Sequence, residues 1–418
     1  MSAEPGTNPA DEVVRGRDDA LPLGVDSVSR PIKVLPVVSG RSSIPNRDPD
    51  GSLPADSVEP TKPSWLALAA AEQERWVTEV ARQPKFRRKQ IEKWIFQQRA
   101  TSFADMTDLP LGLRERLAAE FSIFTGQVVR HQVSKDGTEK LLLEFPPMGR
   151  HGAGRIECVL IREKLRRTIC VSSQVGCGMG CVFCASGLDG VDRSLQVNEI
   201  LEQMLRITGV LPVEERLSHI VMMGMGEPLA NLANVLPALE VASSDFGLGI
   251  SPRRITISTV GLAKSIDRLL EVGKRYQLAI SLHAPTNALR NQIVPTNEKI
   301  GVEGIMEAAA RFKRETGRRL TFEYVLLGGI NDTLEAAEDL ADLLAGQDAL
   351  VNIIPYNPVA GLPYATPSNH AIARFRKVLE DRGVVVKCRQ RKGDDIDAAC
   401  GQLRRVVAKS TVEVSNGG

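Results

Sequence analysis

Thr168-Ile169-Cys170-Val171-Ser172-Ser173-Gln174-Val175-Gly176-Cys177-Gly178-Met179-Gly180-Cys181-Val182-Phe183-Cys184 is the stretch on which the fold turns. Its first half is apolar and β-branched, as a buried strand is, and its second half sets glycines 176, 178 and 180 among three cysteines, as a tight loop does. The rest of the chain repeats that opening unit. Strand patterns recur at 168–174, 219–223, 254–259, 277–282, 320–326 and 350–355. Amphipathic helical patterns follow them at 197–210, 232–243, 262–272, 302–315, 333–344 and 369–382. Six strand–helix units in succession predict an α/β fold whose parallel sheet closes, or partly closes, as a (βα)6 barrel of the TIM type. A run at 384–388 offers a seventh strand at the edge.

In such an array the reacting groups belong in the loops that follow the strands. Those loops read Cys177 to Cys184, Gly224-Met225-Gly226-Glu227-Pro228, Ser258-Thr259-Val260-Gly261, Ser281-Leu282-His283-Ala284-Pro285, Gly328-Gly329-Ile330-Asn331-Asp332 and Pro355-Tyr356-Asn357-Pro358. Small and polar residues occupy all six. The cysteines have the spacing C-x3-C-x2-C. Zinc would need a fourth ligand from elsewhere, whereas an iron–sulfur cube on three thiolates keeps one iron open for an exchangeable ligand.

Length and composition narrow the class. A chain of 418 residues, 43% apolar and 25% charged, can bury a large core without disulfide staples. No apolar run approaches the roughly 18–20 residues of a membrane span. Residues 1–10 have neither a basic nor an apolar leader region, so the expectation is a cytoplasmic protein whose seven cysteines serve metal or redox chemistry. Residues 1–60 hold nine of the 24 prolines and no aromatic residue, which predicts a disordered tail. That tail carries ten acidic against six basic residues. The overall balance of +2 therefore conceals a remainder at +6. A small helical domain is expected at 65–125, where Arg82, Lys85, Arg87, Arg88, Lys89, Lys93 and Arg99 face the single acid Glu92, a candidate RNA-binding face. A connecting β segment at 126–167 leads to the core at 168–383, and 384–418 form a C-terminal segment.

Four longer motifs go further: Cys170 to Cys177, Met222 to Pro228, Ile280 to Pro285, and Gly393-Asp394-Asp395-Ile396-Asp397-Ala398-Ala399-Cys400-Gly401-Gln402-Leu403. The three-cysteine loop resembles that of the radical S-adenosylmethionine superfamily. Together with Phe86-Arg87 and Lys93-Trp94, the motifs closely resemble the dual-specificity RNA adenine-C2 methyltransferases, from about residue 84 to about 403. The resemblance implies a [4Fe-4S] cluster on Cys177, Cys181 and Cys184, and S-adenosylmethionine bound by Gly226, Glu227, Ser258, Ser281, Leu282, His283 and Asn357. Two molecules of S-adenosylmethionine are used per turnover. The first methylates Cys400; a deoxyadenosyl radical from the second converts that methyl to a methylene radical, which adds to C2. Glu157 is then the proton acceptor, and Cys170 releases the product through a transient disulfide with Cys400. The substrates implied are adenine 2503 of 23S rRNA, before full ribosome assembly, and adenine 37 of tRNA. Flavodoxin or ferredoxin is implied as electron donor, and the enzyme as a monomer with no membrane association.

Arg253, Arg254, Lys387, Arg389, Arg391, Lys392, Arg404 and Arg405 are expected to line the rim and hold phosphates. Cys158 and Cys388, on apolar runs, read as packed thiols. The chain departs from the family at Ala185-Ser186-Gly187, at Arg193-Ser194-Leu195 and at Tyr356, where Thr-Gly, Arg-Asn-Leu and Trp are usual. No cysteine is affected. Two alternatives stand beside the main reading: methylation at C8 of adenine, as in related antibiotic-resistance enzymes, and a non-catalytic, zinc-stabilised RNA-binding protein.

Overall fold

The computed structural model describes residues 62–403. The tail at 1–60 and the rim arginines Arg404 and Arg405 lie outside the described residues. Among the described residues there are twelve strands: β1 (Gln127–Val133), β2 (Glu139–Phe145), β3 (Gly154–Arg162), β4 (Arg167–Cys170), β5 (Gln174–Gly176), β6 (Val191–Ser194), β7 (His219–Met222), β8 (Ile255–Thr259), β9 (Gln277–Ser281), β10 (Leu320–Leu326), β11 (Ala349–Pro355) and β12 (Val385–Cys388). Ten of them form one sheet in the order β1-β2-β3-β4-β7-β8-β9-β10-β11-β12. From β4 onward every pairing is parallel. The expected six-unit array is therefore present, with β12 as its edge strand, and the order does not close on itself. β1 to β3 extend the sheet antiparallel from β4.

The helices that cover the array are set by their ends. Thr333 caps Leu334–Leu343 by accepting from the Ala336 amide, and Ser368 caps Asn369–Asp381 by accepting from the Ala371 amide. Val302–Thr316 stops at Gly317, which takes the left-handed conformation (φ +66°) that terminates a helix without a Cβ clash. Covered by these helices on one face and filled by side chains on the other, the strands are nearly continuous apolar runs: in β10, six of seven residues are buried.

The sequence misleads in one place that matters. The first strand, expected to run through 174, ends at Cys170. The chain then peels away, and Gln174–Gly176 pairs antiparallel with β6. Gly176 (φ +77°) lies so close to the Gly190 carbonyl that a Cβ would stand 2.1 Å from its oxygen. The three-cysteine loop is thus the tip of a hairpin that overhangs the barrel mouth. Two short helices, Asn287–Ile293 and Asn297–Ile300, also intervene after β9 where none was expected.

Residues 64–125 form short helices around Trp65, Trp76 and Phe121, whose rings meet edge-to-face at 5.3–5.6 Å. This layer docks on the core through Glu202, a buried carboxylate of helix Val197–Val210 that accepts from the amides of Thr125 (2.8 Å) and Gly126 (3.1 Å) and from Arg206 (3.2 Å). The lopsided charge of 82–99 is largely engaged within the fold. Arg88 pairs with Glu92 at 2.5 Å and Lys85 with Glu74 at 2.7 Å; Lys89 lies 4.8 Å from the Phe246 ring centre; Arg99 donates to the carbonyls of Leu211 and Glu215. A charge count on the linear sequence cannot see these partners.

Removing the Glu202 carboxylate leaves the buried Gly126 amide and the half-buried Thr125 amide without their acceptor, and leaves Arg206 with only the Gly126 carbonyl and the Phe124 ring. Glu202→Ala is expected to destabilise the fold by roughly 3 kcal/mol, measured as a shift in a denaturant unfolding midpoint. Glu202→Gln, which keeps an acceptor, should cost clearly less.

Candidate active site

A cleft of about 900 Å³ opens at the carboxyl ends of the parallel strands, under the overhanging hairpin. Of the residues singled out in the sequence, Cys177, Cys181, Cys184, Gly226, Glu227, Ser258, Ser281, His283, Asn357 and Cys400 line it. Residues up to 223 positions apart thus meet in one cavity, with Cys177 and Cys400 at the extremes. Leu282, Glu157 and Cys170 are not on its wall.

The cysteine loop is short of compensating charge. Burial pushes the Cys177 thiol up to about 12 and raises Cys181 and Cys184 as well, each also raised by a neighbouring thiol. The cation that bears on Cys181 is Arg290, itself fully buried. Arg290 forms no ion pair among the described residues. It donates to the carbonyls of Leu282 (2.8 Å), Val260 (2.7 Å) and Ser281 (3.1 Å) and to Asn297 Oδ1 (2.6 Å), tying the ends of β8 and β9 to the helix that carries it. Three thiolates in such a place need positive charge from what they bind, as a metal centre provides. Three thiols on one cavity wall, with no fourth cysteine in the same loop, fit an iron–sulfur cube that keeps one iron open.

The opposite wall offers polar groups. Gly226 (φ +99°) brings the loop so close to Ser173 and Gln174 that a Cβ would meet their atoms at 2.7 Å. Glu227 accepts from the amides of Leu229 (3.0 Å) and Val260 (2.9 Å), and burial still pushes its carboxyl up to about 7. An ammonium group would bring it back to its charged form. The Ser258 and Ser281 hydroxyls lie 3.2 Å apart. Burial lowers His283 to about 3, so its ring is neutral. Nδ1 accepts from the Val325 amide at 3.1 Å, which leaves the proton on Nε2, and the ring stacks edge-on against Phe183. Asn357 Oδ1 is buried and unpartnered on this wall. An orphaned acceptor beside hydroxyls, an imidazole N–H and a carboxylate suits an amino acid joined to a nucleoside, which is the donor set of S-adenosylmethionine. Leu282 adds nothing here: its side chain is in the core, its amide donates to the Glu323 carbonyl, and its own carbonyl is taken by Arg290.

Cys400 lies after β12 on a stretch where, among the described residues, the only regular element is the 3₁₀ turn Asp394–Ile396. Hydrogen bonds from three directions hold it. The Ala185 amide donates to the Gly401 carbonyl (2.8 Å) and Ser186 Oγ to the Leu403 carbonyl (2.5 Å), from the cysteine loop. Asn357 Nδ2 donates to the Cys400 carbonyl (3.2 Å) and Gln402 Nε2 to the Pro358 carbonyl (3.0 Å), at the end of β11. Ser134 Oγ and the Lys135 amide donate to Asp395, and the Gly393 amide to Asp136, at the β1–β2 turn. Asp395 thus ties the segment to that turn.

Cys170 is buried behind the wall, close enough for the Cys400 charge to raise its thiol, with burial the larger cause. Glu157 is buried on β3 and pairs with Lys140 at 2.9 Å; Lys140 also donates to the Asp397 carbonyl, three residues before Cys400. Arg389, expected on the rim, turns inward and pairs with Glu323 at 2.9 Å. Arg391 donates to Tyr356 O and Thr366 Oγ, and Lys392 lies 3.7 Å from Asp136. Cys388 is exposed on the edge strand rather than packed, because nothing pairs beyond β12. Glu323 was not anticipated. Its signal was available, as a lone carboxylate within the apolar run Leu320–Leu326.

Known proteins share this arrangement. The family model for the radical SAM superfamily matches residues 171–344, and that for the ribosomal RNA large subunit methyltransferase N-terminal domain matches residues 66–123. A crystal structure of a radical SAM methyltransferase from Sphaerobacter thermophilus superposes with a TM-score of 0.78 at 39% identity, covering 82% of this chain and 99% of that one. A probable dual-specificity RNA methyltransferase RlmN from Geobacillus kaustophilus is 44% identical over 83% of this chain and 94% of its own length. The corresponding protein of Rhodopirellula baltica reaches 59% identity over 84% of this chain and 93% of its own length. With both family models matched and relatives 44% and 59% identical over more than four fifths of the chain, the chain belongs to the RlmN family of dual-specificity RNA methyltransferases, within the radical SAM superfamily.

Proposed function

We propose that this chain methylates C2 of an adenine in large-subunit ribosomal RNA and in transfer RNA, working as a cytoplasmic monomer that draws electrons from a flavodoxin or ferredoxin. The observation that carries the reading is Cys400, clamped over the same cavity as the three-cysteine loop and beside Cys170. C2 of adenine is an electron-poor aromatic carbon, and a carbon radical is a sensible route to methylating it. A [4Fe-4S] cluster on Cys177, Cys181 and Cys184, when bound, supplies the electron that makes carbon-radical chemistry available from S-adenosylmethionine.

The chain's own groups do the rest. Glu227 faces the ammonium of S-adenosylmethionine, while Ser258, Ser281, the His283 Nε2–H and Asn357 Oδ1 receive its hydroxyls, carboxylate and amino groups. Cys400 takes the methyl group of one S-adenosylmethionine on sulfur, with S-adenosylhomocysteine as the leaving group. A second S-adenosylmethionine, cleaved by one electron, would remove a hydrogen atom from that methyl and leave as deoxyadenosine, and the carbon adds to C2 of a base drawn out of its stack. The adduct gives up one electron, which the bound cluster would take, and Glu157 takes the C2 proton. Lys140, bonded to both Glu157 and the Asp397 carbonyl, ties this carboxylate to the Cys400 segment. The Cys170 sulfur, as thiolate, then bonds to the Cys400 sulfur and breaks its bond to carbon; the freed carbon takes up a proton and becomes the methyl group of the released RNA. A two-electron reduction of that disulfide restores both thiols.

Mass spectrometry of nuclease-digested RNA, incubated with anaerobically reconstituted enzyme and S-adenosylmethionine, should show 2-methyladenosine; 8-methyladenosine in its place would overturn the assignment. Cys400→Ala should abolish methylation, and Cys170→Ala should accumulate a covalent protein–RNA adduct that migrates slowly on a denaturing gel. In Gly226→Ala, the added Cβ pushes the loop off Gln174, and S-adenosylmethionine affinity measured by equilibrium dialysis should fall at least tenfold, about 1.4 kcal/mol.

A further inference from the structure

Glu323 is 3% exposed, on the wall of the cleft, and its two oxygens are treated unequally. Oε1 accepts from Asn352 Nδ2 at 2.9 Å and from Arg389 Nη2 at 2.9 Å. Oε2 is buried and has no partner. A carboxylate oxygen kept from water without a donor costs free energy on the order of 1–3 kcal/mol. Asn352, level with Glu323 on the next strand, and Arg389, just past β12, hold the carboxylate in place from two sides. The pair is built to point one free acceptor at whatever enters.

The location says what that is. Arg389 and Glu323 both bear electrostatically on Cys400, and Arg389 also bears on Cys170, the two thiols that join and release the base. Glu227 and the cluster cysteines line the same cavity. In adenine, C2 and the 6-amino group flank the same ring nitrogen, N1, so a base that offers C2 to the Cys400 carbon carries its amino hydrogens a few ångströms away. That amino group is a donor on the base edge, and guanine and hypoxanthine have an acceptor oxygen in its place. Resting on the proposed RNA methylation, we propose that Glu323 is a specificity-determining residue that accepts a hydrogen bond on Oε2 from the 6-amino group of the target adenine, with Arg389 and Asn352 as positioning residues.

The arrangement makes an unusual variant informative. In Glu323→Gln, Asn352 and Arg389 remain donors and hold the amide oxygen where Oε1 was, so the amide NH2 replaces Oε2. A donor then confronts the adenine amine, while the oxygen of hypoxanthine, which keeps a C2–H, is welcomed.

The test uses full-length reconstituted enzyme and transfer RNA carrying adenine, purine (no 6-substituent) or hypoxanthine at the position next to the anticodon, with methyl incorporation as kcat/KM. Wild type should prefer adenine over purine by roughly 10- to 100-fold, the range for one hydrogen bond to a charged acceptor, and over hypoxanthine by more. Glu323→Gln should lose most of its activity on adenine and reverse the adenine-to-hypoxanthine preference. Purine methylated by wild type as well as adenine would overturn the proposal without any variant. So would a Glu323→Gln enzyme whose adenine-to-hypoxanthine ratio is unchanged while its affinity for S-adenosylmethionine falls, which would assign Oε2 to the cofactor. A wild-type enzyme that methylates no adenine at all would overturn the methyltransferase reading itself, a failure visible before any analogue or variant is used.

Discussion

The hydrogen bond from the Ala185 amide to the Gly401 carbonyl joins the loop of three cysteines to the segment that carries the fourth. In the proposed reaction Cys400 meets two molecules of S-adenosylmethionine, a nucleobase and another thiol in turn, which a cysteine sealed inside a helix or strand could not do. It has to sit on irregular backbone, and irregular backbone has no ladder of its own to hold it. The chain answers with contacts from the cysteine loop, the end of β11 and the β1–β2 turn, so that Cys400 is fixed by its neighbours' polar groups. The placement of Lys140, Glu157 and Asn357 follows from the same clamp.

This constraint also explains the sheet. A barrel of six parallel strands would suffice to hold a cluster and a cofactor at its mouth. The antiparallel strands β1 to β3 add what the barrel lacks: a turn that reaches Gly393 and Asp395, and a strand carrying the buried carboxylate Glu157. Arg290 performs the matching task on the other side, where four side-chain hydrogen bonds replace the ion pair that a buried cation ordinarily requires.

Much of this was legible in the chain. Period and composition mark the parallel strands and their helices because burial on both faces leaves each strand apolar and each helix amphipathic. Spacing and small residues mark the strand ends. The misreadings have a common cause. Strand 168–174 reads as continuous because the groups that hold the chain after it leaves the sheet, the Gln203 side chain on Ser172 and the Met225 carbonyl on Ser173, lie 31 or more positions away, and Arg389 reads as a surface cation because its partner lies 66 residues away. The tie of Asp395 is hidden for the same reason: Ser134 and Lys135, which donate to it, precede it by about 260 positions. Glu323 alone was visible locally.

The order of these pieces along the chain gives them an order in time. The hairpin with Cys177, Cys181 and Cys184 leaves the ribosome some 200 residues ahead of Cys400, roughly 10–40 s at common rates of synthesis. Through that interval the cysteine loop and the end of β11 lack the partners that the Cys400 segment later gives them, the Gly401 carbonyl for the Ala185 amide and the Cys400 carbonyl for Asn357. The mouth of the cavity is therefore the last part of the site whose hydrogen bonds can form.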